Sequence, residues 1–155
     1  MTNNDVLRRI RYAFDYNDSK MMSIFGLADL QVTREQISNW LKKDEDPAFQ
    51  ACGDTELAIF LNGMIIDRRG KKEGVQPAPE KKINNNVIFR KLKIALDLKA
   101  EDILDVLALT EVSLSKHELS AFFRKPEHKH YRSCKDQVLR KFIEGVQLKY
   151  RPDNS

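Results

Sequence analysis

The polypeptide has 155 residues, 41% hydrophobic and 32% charged, with a net charge of +4, a balance that suits one compact domain or two small halves packed together. Its longest uninterrupted apolar run, Leu57 to Leu61, is far short of the roughly 20 residues a membrane-spanning helix needs. The opening MTNND lacks a basic and apolar targeting pattern, so the protein is expected to work in the cytoplasm with its two cysteines as reduced thiols.

Apolar residues recur with helical spacing from the start of the chain. In the first predicted helix Val6, Leu7, Ile10 and Phe14 share a face, with Asn4 placed to cap its N-terminus. A second helix is expected at about 18 to 29, carrying Met21, Met22, Ile24, Phe25 and Ala28. A third begins at Thr33 and buries Ile37, Trp40 and Leu41 at i, i+3 and i+4 spacing. The fourth begins near Asp54 and carries Leu57, Phe60 and Leu61. Residues 70 to 84, rich in Gly, Pro and Lys, read as a linker.

After the linker the pattern starts again. Aligning 3 to 69 with 85 to 151 needs no gap and leaves fifteen identical pairs, where unrelated segments would give about four. The pairs include Asn3/Asn85, Asn4/Asn86, Cys52/Cys134, Asp54/Asp136 and Gly63/Gly145. Asn86 is therefore expected to cap its helix as Asn4 does. Alternating β patterns are absent, so the expected fold is all-α: two homologous four-helix repeats, 1 to 69 and 85 to 155, packed with pseudo-twofold symmetry because each is near the lower size limit for a core of its own.

The paired asparagines that open each unit, the phrases ISNWLKK at 37 to 43 and ELAIFLNGMIIDRRG at 56 to 70, and INNNVIFRKLKIAL in the second copy resemble the YehS-like bacterial family. The resemblance covers essentially the whole chain. It implies a duplicated helical unit in bacterial cytosol; that family is one of unknown function and carries over no catalytic residues.

Residues 18 to 43 resemble a helix-turn-helix of phage-repressor type, with 100 to 125 as its second-copy counterpart. On that reading Arg34, Asn39, Lys42 and Lys43, with Lys116, Arg124 and Lys125 in the second copy, face outward as nucleic-acid contacts, Asn39 toward an adenine edge and the cations toward phosphates. A folding role competes with it. Thr33 with Gln36 and Ser115 with Glu118 fit the capping box; the usual turn glycine is replaced by Gln31 and Ser113; Asn39 becomes Ala121; and Asp44, Glu45 and Asp46 follow the first element. The basic edges of the first helices, Arg8, Arg9 and Arg11 with Arg90, Lys91 and Lys93, read better as solvated stems covering the core than as a phosphate stripe.

Chemistry finds little foothold. Cys52 and Cys134 lack the adjacent base a nucleophile needs and read as small buried hydrophobes. His117, His128, His130 and Cys134 do not match a zinc motif. Gly63 and Gly145, each inside a helical pattern at a cost of about 1 kcal/mol, either end their helices in a left-handed cap or let another helix approach closely; Met64, Ile65 and Ile66 continue the apolar pattern and favour close packing. No cofactor, metal or membrane partner is expected, and no enzyme. The sequence favours a non-catalytic binding or regulatory module with a protein partner, docked on an apolar groove between the copies near Phe49 and Tyr131. DNA binding through the two helix-turn-helix-like elements is the alternative.

Overall fold

The computed structural model describes residues 1–152. It comprises α1 (Asn3–Phe14), α2 (Asp18–Leu27), α3 (Arg34–Leu41) and α4 (Asp54–Arg69), then α5 (Asn85–Ala95), α6 (Ala100–Ala108), α7 (Lys116–Ala121) and α8 (Asp136–Tyr150). Every helix of the second set starts 82 residues after its counterpart. The sequence repeat is thus a structural repeat in the same register. There is no strand among the described residues, and no helix there is long and apolar enough to cross a membrane.

The broadest helix contacts cross between the repeats: α4 lies along α5, and α1 lies along α8. Pseudo-twofold symmetry exchanges these two pairs. Within each repeat, α2 packs on α4 and α6 on α8, and the third helices lean on α2 and α6. The first and last helices of each half therefore find their main partner in the other half. Leu7, Ile10, Met21, Phe25, Leu57, Phe60, Phe89, Ile103, Leu139 and Phe142 are buried in one continuous core.

The entry points of the repeats are interlocked as well. Asp54 at the start of α4 accepts the backbone N–H of Ile83 at 3.1 Å. Asp136 at the start of α8 accepts the Met1 ammonium at 2.6 Å. Met1 and Ile83 are counterparts, so each half holds the beginning of the other. The Met1 ammonium first, and then the Asn85 amide, keep the Asp136 carboxyl below its usual range.

Two sequence expectations about helix ends are corrected. The caps of α1 and α5 are Thr2 and Asn84, whose side chains accept the N–H groups of Asp5 and Val87. Asn4 and Asn86 lie inside the first turn and are buried; their amides serve backbone groups elsewhere. α2 stops at Leu27, short of 29, because Asp29 turns left-handed with φ 67°, as Glu111 does with φ 64° in the second copy. Close packing at the paired glycines is borne out. A Cβ on Gly63 would stand 1.9 Å from the Ile24 carbonyl oxygen, and one on Gly145 2.4 Å from that of Val106, so α4 touches α2, and α8 touches α6, backbone to side-chain-free backbone.

Candidate binding cleft

An asparagine node holds the chain that follows each third helix. The Asn4 amide donates to the carbonyls of Trp40 (2.8 Å) and Gln50 (2.9 Å), and its oxygen accepts the Cys52 N–H at 3.0 Å. Asn86 does the same with Phe122 (3.0 Å), Arg132 (2.8 Å) and Cys134 (2.9 Å). Beside it, Asn3 donates to the Cys52 carbonyl and to Asp54, and Asn85 to the Cys134 carbonyl and to Asp136. Backbone groups that leave a helix end with no regular partner are thereby satisfied inside the protein. The identity of Asn3, Asn4, Cys52 and Asp54 across the copies follows from folding. Cys52 and Cys134 are buried free thiols, each pushed up to about 12 mainly by burial, which keeps them protonated and unreactive.

Much of the predicted nucleic-acid set is engaged by the fold itself. Arg34 donates to Ser19 at 3.3 Å and lies 3.7 Å from the Asp18 carboxylate. The Lys42 ammonium reaches Ser38 at 3.3 Å, and its carbonyl accepts the Arg8 guanidinium. Lys116 is paired with Glu101 at 2.6 Å. Asn39 is half-buried, and its carbonyl accepts the Gln50 N–H. Arg124 has its Nε buried beside Lys93 and Phe123 in a pocket of about 280 Å³. Lys43 and Lys125 are exposed; Lys43 is followed directly by Asp44, Glu45 and Asp46. In the basic edges, Arg8 pairs with Asp5, Lys91 bonds Glu80 and Asn62, and Lys93 lies over the Phe123 ring at 5.0 Å. Of these, the Lys91 bond to Asn62 straps α5 to α4.

A cleft of about 610 Å³ opens in the second repeat between α7, the loop that follows it and the start of α8. Leu114, Phe122 and Val138 give it an apolar floor, and Tyr131 lines one side. A groove lies near Tyr131 as expected, but it is confined to the second repeat and does not include Phe49; a pocket of about 360 Å³ that does span the copies is lined by Asp67, Arg68, Arg69, Ala95, Leu96 and Asp97. Lys129, Arg132 and Lys135 also line it. None of the three forms an ion pair among the described residues.

All three histidines of the chain gather here. The His117 and His130 rings lie 6.2 Å apart, and those of His128 and His130 lie 5.6 Å apart, with the His130 N–H donating to His128 Nδ1 at 3.0 Å. No group of His, Cys, Asp and Glu among the described residues has metal-binding geometry. The one acid in the lining, Glu118, accepts the Ser115 N–H at 3.0 Å in a complete capping box. That bond first, with Arg132 adding to it, holds the Glu118 carboxyl below its usual range.

The lysines and arginine of this cleft escaped sequence reasoning, which looked for cations on the exposed face of the third helices. A signal was present in the aligned copies. Residues 34 to 53 carry three Lys/Arg against four Asp/Glu, whereas their counterparts 116 to 135 carry six against two and all three histidines. Bulk differs too: Phe122 and Ala121 stand where the first copy has Trp40 and Asn39.

The chain is similar along nearly its whole length to the uncharacterized protein YehS of Escherichia coli strain K12, at 43% identity over 148 residues, or 94% of each chain. No solved structure matches it. The family described as protein of unknown function, DUF1456, matches twice, over residues 3–70 and 85–151. Those two matches fall on the two four-helix sets, and the chain belongs to that family, whose unit it carries in duplicate.

Proposed function

We propose that the protein is a non-catalytic binding module of the cytoplasm, that its partner is a protein, and that the second repeat supplies the binding face. The observation that carries this reading is the cleft beside α7, where an apolar floor meets three cations, Lys129, Arg132 and Lys135, that form no ion pair among the described residues. Protein recognition uses that combination, an apolar centre inside a polar rim. The DNA alternative draws less support. A pseudo-twofold reader would place both third helices on phosphates, yet Arg34, Lys42 and Lys116 are held by oxygens of the fold, and the end of α3 runs into Asp44, Glu45 and Asp46.

The test is affinity capture on immobilised protein, with and without nuclease, comparing the native chain with a Lys129→Glu/Arg132→Glu/Lys135→Glu variant. The expected outcome is a nuclease-resistant protein retained by the first and lost by the second. Material that disappears with nuclease, together with duplex binding that weakens steeply with salt in anisotropy, would overturn the reading in favour of nucleic acid.

A further inference from the structure

The geometry points to an acidic peptide segment bearing a single apolar anchor as the occupant of the second-repeat cleft. This rests on the protein-binding reading above and adds the chemistry of the partner. At about 610 Å³ the cleft falls inside the range of roughly 300 to 1,000 Å³ typical of ligand sites. Its floor of Leu114, Phe122 and Val138 is aliphatic and aromatic carbon, which gains from covering by an apolar side chain. Around that floor stand Lys129, Arg132 and Lys135, none of them in an ion pair among the described residues, with Arg132 alone of the three acting on a carboxylate, that of Glu118. Unpaired cations beside an apolar surface favour an anionic partner, because each carboxylate that arrives gains a charge-assisted hydrogen bond the free protein lacks.

The local acid offsets only part of this charge, one carboxylate against three cations. Glu118 is tied to the N-terminus of α7 through Ser115, where the helix end already favours a negative group. Complementarity also explains why one repeat is chosen. The first copy has Ala48, Phe49, Gln50 and Gly53 at the positions of His130, Tyr131, Arg132 and Lys135, and over residues 34 to 53 it carries three Lys/Arg against four Asp/Glu. An acidic segment would be attracted by one copy and repelled by the other. A nucleic acid is the competing occupant, since single strands are held by successive bases stacking on aromatic rings and Tyr131, His117 and His130 line this cleft; binding of a single-stranded oligonucleotide decides between the two.

The experiment is fluorescence anisotropy of the full chain with a short labelled peptide of glutamates around one central leucine. Two further probes are its all-glutamate analogue and a single-stranded oligonucleotide at matched salt. The leucine peptide is expected to bind, and the Lys129→Glu/Arg132→Glu/Lys135→Glu variant to lose at least about tenfold in affinity, equivalent to about 1.4 kcal/mol. A control of identical charge change, Lys71→Glu/Lys72→Glu/Lys81→Glu in the exposed linker, is expected to keep its affinity. The all-glutamate peptide is expected to bind more weakly than the leucine peptide. Equal loss in both variants, equal binding of the two peptides, or tighter binding of the oligonucleotide would each overturn the inference. A protein that ignores the peptide while still retaining its nuclease-resistant partner would overturn the segment chemistry alone and leave the protein-binding reading in place.

Discussion

The stretch after α2 and the stretch after α6 share one anchoring node and have opposite electrostatics. Residues 34 to 53 and 116 to 135 are held by the same asparagine node, with matching hydrogen bonds to Trp40, Gln50 and Cys52 or to Phe122, Arg132 and Cys134. Yet the first stretch is net acidic and the second strongly basic. Positions that stayed the same, Asn3, Asn4, Cys52, Asp54 and Gly63, serve backbone satisfaction or close packing. Among the positions that changed, Ala48, Gln50 and Gly53 became the cleft-lining His130, Arg132 and Lys135. Duplication has left one copy to meet the folding requirement and the other to meet it while presenting charge.

Separating the halves would test the comparison most severely. Because α1 and α5 each pack mainly on the last helix of the other repeat, a chain of residues 1 to 69 alone is expected to show no cooperative unfolding as a monomer. Cutting the linker near Val75, which is 99% exposed, should leave the two fragments associated and unfolding in one transition, as followed by circular dichroism. A lone half that melts cooperatively as a monomer would mean that the repeats are independent domains.

Next in size are the node and the glycine contacts. Asn4→Ala and Asn86→Ala each leave two buried backbone groups and one part-buried carbonyl without their side-chain partner, so each should cost about 2 to 3 kcal/mol in urea unfolding. If the two copies are equivalent as scaffolds, the two losses should agree. The glycines sharpen the contrast, since the clearance is smaller in the first copy. Gly63→Ala is expected to cost about 3 kcal/mol and Gly145→Ala about 2 kcal/mol. A reversed order would show that α6 yields less readily than α2.

The thiols should behave alike. Both are raised from 9.0 to about 12 by burial, so the native state keeps protons that the unfolded chain releases. Their contribution is full below pH 9 and is lost as pH rises from 9 toward 12. Stability of the native chain should therefore fall more steeply over that window than stability of a Cys52→Ala/Cys134→Ala variant, and neither thiol should react with iodoacetamide at neutral pH. A fast-reacting thiol in one copy only would mark that copy as locally open.

The duplication, the helical class and the role of the glycines were legible in the sequence because they follow from spacing, and spacing survives in every pair of aligned residues. The asparagines were misread. A cap is a local feature of one helix end, whereas Asn4 acts on groups 36 to 48 residues away, which no local rule reaches. The cleft was half legible. A groove near Tyr131 was expected, though between the copies and beside Phe49, whereas the cations sit in an irregular loop, where side-chain direction has no period to read.

The same limit applies to the left-handed turns, and it supplies the smallest test. Asp29 and Glu111 are counterparts, both exposed, with φ of 67° and 64°. A left-handed residue other than glycine costs about 1 to 2 kcal/mol, less for aspartate, whose short side chain can bond locally. Glycine removes that cost but gives back about 0.5 to 1 kcal/mol through the flexibility of the unfolded chain. Glu111→Gly should therefore stabilise the protein by about 0.5 kcal/mol, and Asp29→Gly should leave it nearly unchanged, as read from the thermal midpoint. The turn bonds from Asp29 to Gly26 and from Glu111 to Ala108 are made by the backbone and survive either change. If Asp29→Gly were the more stabilising, the strain would lie in the first copy, and the divergence of the second would owe nothing to relaxed folding constraints at this turn.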